Sequence, residues 1–588
     1  MIPMVPPDRR RLRVFAFDPL ASHAPNSMLG SAAENEVVLE VEYEPLEQGP
    51  SGRRVVVIDH DATRGVRYEP VQLDHPALLA QDGLAPSEDD PRFHQQMAYA
   101  VTMKTIENFD RALGRRIRFK RPGKPFSGLG ARLGIFPHAF DQKNAFFDPG
   151  ANAVLFGYFT AVARPGAPFV PGQTVFTCLS ADILAHEVTH GLIHRLRPAF
   201  MENTNPDVGG FHEGFADIVA IFQHFTYPDL LRKVIQRTNG ALDQPGLFVD
   251  LAQQFGHGRG DGGALRTAIL APEPTMYEET TEVHDRGNIL VAAVFEAFFH
   301  AYRQRVSDLV PPGASNLSAS VVRRVAEDAE STAQQFLTMC IRAFEYLPPA
   351  DIRFGDFLRA AITADMDLNG SSTRRNRELL VDGFRRRGIY PDGAYSLSET
   401  SLRWPSAEDL GLPNLPNEIA KELLFMASRI ERGEEPDDWR RGYAAALQNY
   451  GKSYATALGL DPKLSVSAPS FHTSFRVGPD GQLRAEIVVR FEQQEREEKG
   501  EGGVLPRGGV TLVANAEGKI RYAIAAPLPG VERADLAEDA ARREDRFRRF
   551  VSASRDRDPA SEWMTEEQYA NRMKMRLAAV HLSRGSRA

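Results

Sequence analysis

The chain has 588 residues, 42% hydrophobic and 25% charged, a length that exceeds one compact core and implies two to four domains. Its 70 basic residues against 78 acidic ones give a net charge of −8, which argues against a general nucleic-acid binder. Two cysteines, Cys178 and Cys340, exclude a disulfide framework, and no stretch approaches the apolar length that spans a bilayer.

The N-terminal MIPMVPPDRRRLRVFAF places prolines and Asp8 before its arginines and no useful apolar run after them. No secretory signal is read there, so a cytoplasmic location is the default expectation, with export by another route left open. Residues 1–85 read as β-rich: VVLEVEYEPL alternates from Val37, and RVVVIDHD from Arg54 is a second strand, with a Gly49-Pro50-Ser51-Gly52 turn between them. The polar, proline-containing stretch from Leu84 reads as a linker. A helical pattern runs from Phe93 to about Leu113, and ARLGIFPHAF and NAFFDPGANAVLFGYF are β-like. Residues 180–197 form a predicted helix, with Ser180 as N-cap and Pro198 ending it. A second helix is predicted from about Phe211 to Phe225, and residues 285–391 are mostly helical. Past Tyr395 come two helical stretches, two hairpin arms (the first with a Gly-Pro-Asp-Gly turn at 478–481), a charged loop at 492–503 and a charged helical tail. The expectation is an α+β protein divided at 1–85, 86–228, 229–392 and 393–588, the last an α+β extension of unassigned role.

The central motif is His186-Glu187-Val188-Thr189-His190. On a helix, residues four apart share one face, so both imidazoles can point at one Zn²⁺, and Glu187 beside them can take a proton from metal-activated water. The same five residues also read as two packed histidines, and the surrounding sequence decides between these. Zinc needs a third ligand, and Glu213 in His212-Glu213-Gly214-Phe215-Ala216-Asp217 supplies one. Asp217, one helical turn on, can hydrogen-bond a ligand imidazole. His194 continues the four-residue series but lies about 12 Å along the axis from His186, so it cannot share the ion. The H-E-x-x-H-x-x-G-x-x-H arrangement is absent.

HEVTH followed by EGFAD resembles the paired motifs of the thermolysin-like metallopeptidases, the gluzincins. Other segments match in order: FHQQMAYAVTMKTIENF resembles the helix that opens the catalytic domain, and Phe357–Ala364 and DGFRRRGI resemble its C-terminal helices. The resemblance covers residues 90–392. It implies a two-lobed zincin catalytic domain, with a mixed β-sheet and active-site helix followed by a helical lobe. It implies one zinc ion per chain held by His186, His190 and Glu213, with Glu187 as general base. It implies that Asn144, Ala145 and Phe147 form an edge strand aligning a peptide substrate, that Arg266 in Ala264-Leu265-Arg266 holds a substrate carbonyl, and that His284 stabilises the oxyanion. The carboxylate paired with His284 is assigned to Glu279, with Glu282 as its rival. Leu265 and Ile183 imply a hydrophobic pocket after the scissile bond.

The chain also departs from the family. Residues 191–212 contain no tyrosine where the family has one, and Tyr277 is a candidate substitute. His212 stands where the family usually has Asn. Asp182 matches one calcium-binding acid, but the next expected acid aligns with His224, so calcium remains possible while the usual double site is not expected to be intact. The Gly-x-Met-Glu-Asn element of the related aminopeptidases does not precede HEVTH. Residues 1–85 are either a short pro-segment or strands added to the catalytic domain. The expected activity is a zinc metalloendopeptidase acting on peptide or protein, with no membrane insertion. The alternatives are an inactive binding module on the same scaffold and a zinc hydrolase of a non-peptide amide or ester.

Overall fold

Strand parity organises the beginning of the chain. Arg9–Phe15 (β1) and Glu36–Glu42 (β2) pair antiparallel, with Leu12 opposite Leu39. Leu12, Val14, Leu39 and Val41 all point to one buried side, against the helix Pro91–Leu113. The computed structural model describes residues 7–19, 35–161, 172–242, 276–431, 439–478, 480–495 and 505–556, with 574, 575, 577 and 580. The fold is mixed α+β.

Val55–Val57 (β3), buried at all three positions, pairs in parallel with Leu133–Asp141 (β6). A two-residue hairpin, His60–Asp61 (β4) with Val66–Arg67 (β5), lies between them in the chain. Beyond β6 the sheet runs through Ala153–Thr160 (β8) to Ala145–Asp148 (β7), with Thr174–Phe176 (β9) also on β8. Residues 1–85 therefore supply an edge strand to the following sheet, and a boundary at 85 cuts through a shared core.

After the short helix Pro76–Ala80 (α1), Pro91–Leu113 (α2) begins two residues earlier than the sequence pattern implies. Asp90 caps it, accepting from Arg92 N at 3.0 Å, and Pro91 occupies the first turn, where a missing N–H does no harm. Ala181–Leu196 (α3) starts at the expected cap, Ser180, and stops before Pro198. Pro206–His224 (α4) starts five residues before the predicted Phe211. Asn205 accepts from Asp207 N at 2.8 Å, and Pro206 sets the first turn. Pro228–Thr238 (α5), Val283–Val306 (α6), Ala319–Arg342 (α7), Phe354–Asn369 (α8) and Arg374–Arg386 (α9) complete the helical part. Phenylalanines carry one core across it: Phe215 lies 4.9 Å from Phe344, and Phe222 lies 4.4 Å from Phe295. No helix among the described residues is long and apolar enough to cross a membrane.

The two hairpin arms expected near the C-terminus form one four-stranded antiparallel meander. Its strands are Ser467–Val477 (β10), Leu483–Gln494 (β11), Arg507–Asn515 (β12) and Ile520–Ala526 (β13). One face presents Phe471, Ile487, Val489, Phe491, Val510 and Leu512 to Asn417–Glu431 (α10) and Trp439–Ser453 (α11). The other face, one residue out of phase, carries Ser474, Arg476, Glu486, Arg490 and Thr511 and docks on the rest of the protein. Glu486 gathers Arg342 at 2.7 Å, Arg476 at 2.9 Å and Arg521 at 2.9 Å, and accepts the Tyr346 hydroxyl at 3.1 Å. Asp367 takes Arg521 at 2.6 Å and Arg403 at 2.9 Å. The final described helix, Ala534–Asp556 (α12), returns to this body through Arg543 and Asp351 at 2.8 Å.

The seam has a titratable member. Glu345 lies between Arg115 at 2.9 Å and His472 at 2.8 Å. Burial raises the Glu345 carboxyl, but Arg115, His472 and Arg197 outweigh it and hold the group well below the usual carboxylate range. Burial, then Arg115, push His472 down to about 4. Both groups bind protons less readily folded than unfolded, so both favour the fold at neutral pH and lose that contribution on acidification. The midpoint of thermal unfolding is expected to fall as pH drops from about 6.5 towards 4, the window in which an unfolded histidine takes up a proton that folded His472 refuses. His472→Gln is expected to make that fall shallower. An unchanged pH slope in the variant would remove His472 from the account.

Candidate metal centre

On α3, His186 and His190 lie one turn apart, with ring centroids at 4.6 Å and planes at 90°. Glu213, on α4, faces both: its Oε2 is 3.5 Å from His186 Nε2 and its Oε1 is 3.5 Å from His190 Nε2. All three side chains are buried, and their ligand atoms lie within 4.8 Å of one another. A spacing of 3.5 Å is long for an N–H···O hydrogen bond. It matches donors sharing one tetrahedral ion, because bonds of about 2.0–2.2 Å put such donors about 3.3–3.6 Å apart. Two imidazoles and a carboxylate suit Zn²⁺, and the set leaves a fourth position for water or substrate.

Each of these two histidines has its other nitrogen held. Asp217 Oδ1 stands 2.7 Å from His186 Nδ1, as the one-turn offset from Glu213 predicts. A carboxylate there keeps the proton on Nδ1 and the lone pair of Nε2 directed at Glu213. For His190 the partner is His212, with Nδ1 3.2 Å from Nδ1. Burial above all pushes His212 down to about 3, so it stays neutral and can accept through Nδ1. His212 thus supplies an acceptor behind His190. Glu187 is buried on the same helix, next to His186 in the chain.

His284 arrives from α6, with Nε2 3.5 Å from Glu213 Oε2. Its Nδ1 lies 3.1 Å from Glu282 Oε1, so Glu282 and not Glu279 is its carboxylate. The reason is helix capping. Glu282 is the N-cap of α6 and accepts from His284 N at 2.9 Å and Asp285 N at 2.8 Å, which turns its carboxylate onto the first-turn imidazole. Glu279 ends a separate exposed turn, Tyr277–Glu279. Tyr277 does not fill the place of the family tyrosine: its hydroxyl donates to Asp207 Oδ2 at 2.7 Å, and its ring lies 3.9 Å from the Arg286 guanidinium.

The edge strand divides by parity. Asn144 Oδ1 accepts from Ala145 N at 3.0 Å, and β7 pairs with β8 from Ala145↔Phe156 to Asp148↔Ala153. Phe147 faces inward. It is buried against α3, close enough that a Cβ on Gly191 would meet its ring at 3.2 Å, and it sits 5.5 Å from His194. Phe147 is therefore part of the floor beneath the helix and is removed from the substrate-contacting set. His194, pushed down to about 4 mainly by burial, stands outside the cluster. Arg266 and Leu265 lie outside the described residues. Where calcium would need a second acid, His224 Nε2 bonds Asp182, so that pair offers one carboxylate and an imidazole.

Two glycines that the sequence reading passed over set the approach of α4 to α6. A Cβ on Gly214 would meet Gly287 O at 2.6 Å, and a Cβ on Gly287 would meet Gly214 N at 2.9 Å. No protein-family model matches the chain, and no curated protein matches it either.

Gly214→Ala is expected to force the two helices apart, destabilise the protein by about 1–3 kcal/mol and lower its zinc content. Urea unfolding and metal analysis of the purified variant check this; stability and zinc at the parent level would remove the crossing as the determinant of the centre.

Proposed function

We propose that the chain is a zinc-dependent endopeptidase on the thermolysin-like two-lobed plan, with His186, His190 and Glu213 as ligands and Glu187 as general base. The observation that carries the reading is the convergence of the three buried donors, with the Glu213 oxygens 3.5 Å from each imidazole Nε2. When bound, zinc supplies the Lewis acidity that polarises a carbonyl and makes a water molecule acidic near neutral pH.

The chain's own residues do the rest. Glu187 accepts the proton of the attacking water and passes it to the leaving amine. His284, oriented through Nδ1 by the Glu282 carboxylate, supplies the group that stabilises the oxyanion. The alignment of an extended peptide by Asn144 and Ala145, at the start of β7, rests on the resemblance. Ile183, half-buried on α3, supports a preference for a hydrophobic residue after the scissile bond. The role of Arg266 rests on the resemblance alone. A catalytically silent binding module is the second reading, favoured by the engagement of Tyr277 with Asp207.

Glu187→Gln is expected to keep zinc and lower turnover of casein and of a mixed peptide library by about 10²–10⁴-fold. Chelator-sensitive cleavage before bulky apolar residues in the parent protein is the matching result, and near-normal turnover in the variant would sink the assignment. His284→Ala is expected to lower kcat by about 10²–10³-fold with zinc retained. Loss of metal in that variant would contradict an oxyanion role. Absence of cleavage by a parent protein that holds zinc would favour the binding module.

A further inference from the structure

A second buried cluster lies near the N-terminal end of α2. His94 from α2, His138 from β6 and Cys178 from the single turn Thr177–Leu179 bring Nδ1 or Nε2 and Sγ within 4.8 Å of one another. All three are at most 1% exposed. The rings of Phe176, 4.7 Å from His94, and Tyr68, 4.9 Å from His138, wall the cluster.

The hydrogen bonds around it fix the tautomers. His94 Nε2 lies 3.0 Å from Glu88 O, a carbonyl that can only accept, so Nε2 carries the proton. His138 Nδ1 lies 2.7 Å from Asp59 Oδ1, and Asp59 Oδ2 already accepts from Gln95 Nε2 at 2.8 Å. Facing that carboxylate oxygen, His138 Nδ1 carries the proton too. The remaining nitrogens, His94 Nδ1 and His138 Nε2, then turn lone pairs on each other at 2.8 Å. Two facing lone pairs repel unless a cation sits between them.

We propose that His94 Nδ1, His138 Nε2 and Cys178 Sγ bind a zinc-class ion at a structural site separate from the His186–His190–Glu213 centre. Imidazole and thiolate together select this class. Asp59 and the Glu88 carbonyl orient the two rings in the way that outer partners orient metal-binding histidines. Bond lengths of about 2.0–2.1 Å to nitrogen and 2.3 Å to sulfur put donors about 3.3–3.6 Å apart, so the two nitrogens open by about half an ångström on binding. The Cys178 thiol gives up its proton to water as the ion binds, which offsets the burial that holds the free thiol well above its ordinary range. That raised, fully enclosed thiol does not suit a nucleophile, so the Cys178–His138–Asp59 line does not read as a catalytic triad. The ion would tie α2 and β6 to the turn that leads into Ser180, the cap of α3.

The full-length protein is loaded with Zn²⁺ for metal analysis and, separately, with Co²⁺ for absorption spectroscopy. About two zinc ions per chain are expected, with a thiolate-to-cobalt charge-transfer band in the near ultraviolet that the sulfur-free first centre cannot produce. Cys178→Ser is expected to lose the band and about one zinc, while His186→Ala keeps the band. If Cys178→Ser does not fold, the parent protein's spectrum decides alone, with Cys340→Ser as the control that must retain the band. One zinc per chain with no thiolate band, or a band that survives Cys178→Ser, overturns the proposal. The result is independent of the peptidase reading: an inactive protein with the Cys178 band supports the site, and an active one without it does not.

Discussion

The candidate metal centre depends on one backbone contact, the crossing of α4 and α6 at Gly214 and Gly287. Helices that interpose ordinary side chains keep their axes about 8–10 Å apart. Here the backbone of one helix rests on the backbone of the other, and a single methyl group on either glycine would enter the partner's main chain. Glu213 immediately precedes one glycine, and His284 lies one turn before the other. The close crossing is what brings a carboxylate from α4 and an imidazole from α6 within 3.5 Å. Gly209 and Gly210 extend the same contact, against Val283 and Arg286. Each glycine within a helix weakens it by about 1 kcal/mol relative to alanine. The phenylalanine core shared by α4, α6 and α7 offsets that weakness.

A second constraint acts on the imidazoles. A histidine directs a lone pair at a chosen point only if its other nitrogen is bound to an acceptor. Asp217 does this for His186, His212 for His190, and the Glu88 carbonyl and Asp59 do it for His94 and His138. At His284 the group behind the ring is Glu282, the cap of α6, which holds Nδ1 at 3.1 Å.

Much of the centre was legible in the sequence because its spacing is helical. Two histidines four apart and a carboxylate pair four apart carry their geometry in their numbering. The parts that were not legible depend on other rules. Phe147 looked like a substrate contact, but strand parity turns it into the core beneath Gly191. Glu279 sat at the spacing borrowed from the family, whereas the cap of α6 selects Glu282. The early start of α4 was written in Asn205-Pro206, a cap and first-turn pair whose signal was overlooked. The parallel pairing of Val55–Val57 with β6 joins residues almost eighty positions apart and has no local signature.

The C-terminal extension bears on the same helices through their ends. A helix leaves its last carbonyls without intrahelical partners, and these need donors or cations. At the end of α2, Arg342 and Ser474 donate to Leu113 O at 2.8 and 2.7 Å, and Phe475 N donates to Gly114 O at 2.9 Å. Gly114 has φ +64°, and any Cβ there would strike the Phe475 carbonyl, so this turn and β10 are built for each other. At the end of α3, which carries His186 and His190, Arg490 of β11 donates to Leu196 O at 2.5 Å. A cation at that end also opposes the negative pole of the helix. The ionic groups of the seam contribute little net stability as pairs, because removing them from water is expensive. What they supply is a docking geometry in which the face carrying Arg476, Glu486 and Arg490 is satisfied only when Arg342, Asp367 and the helix ends lie opposite it.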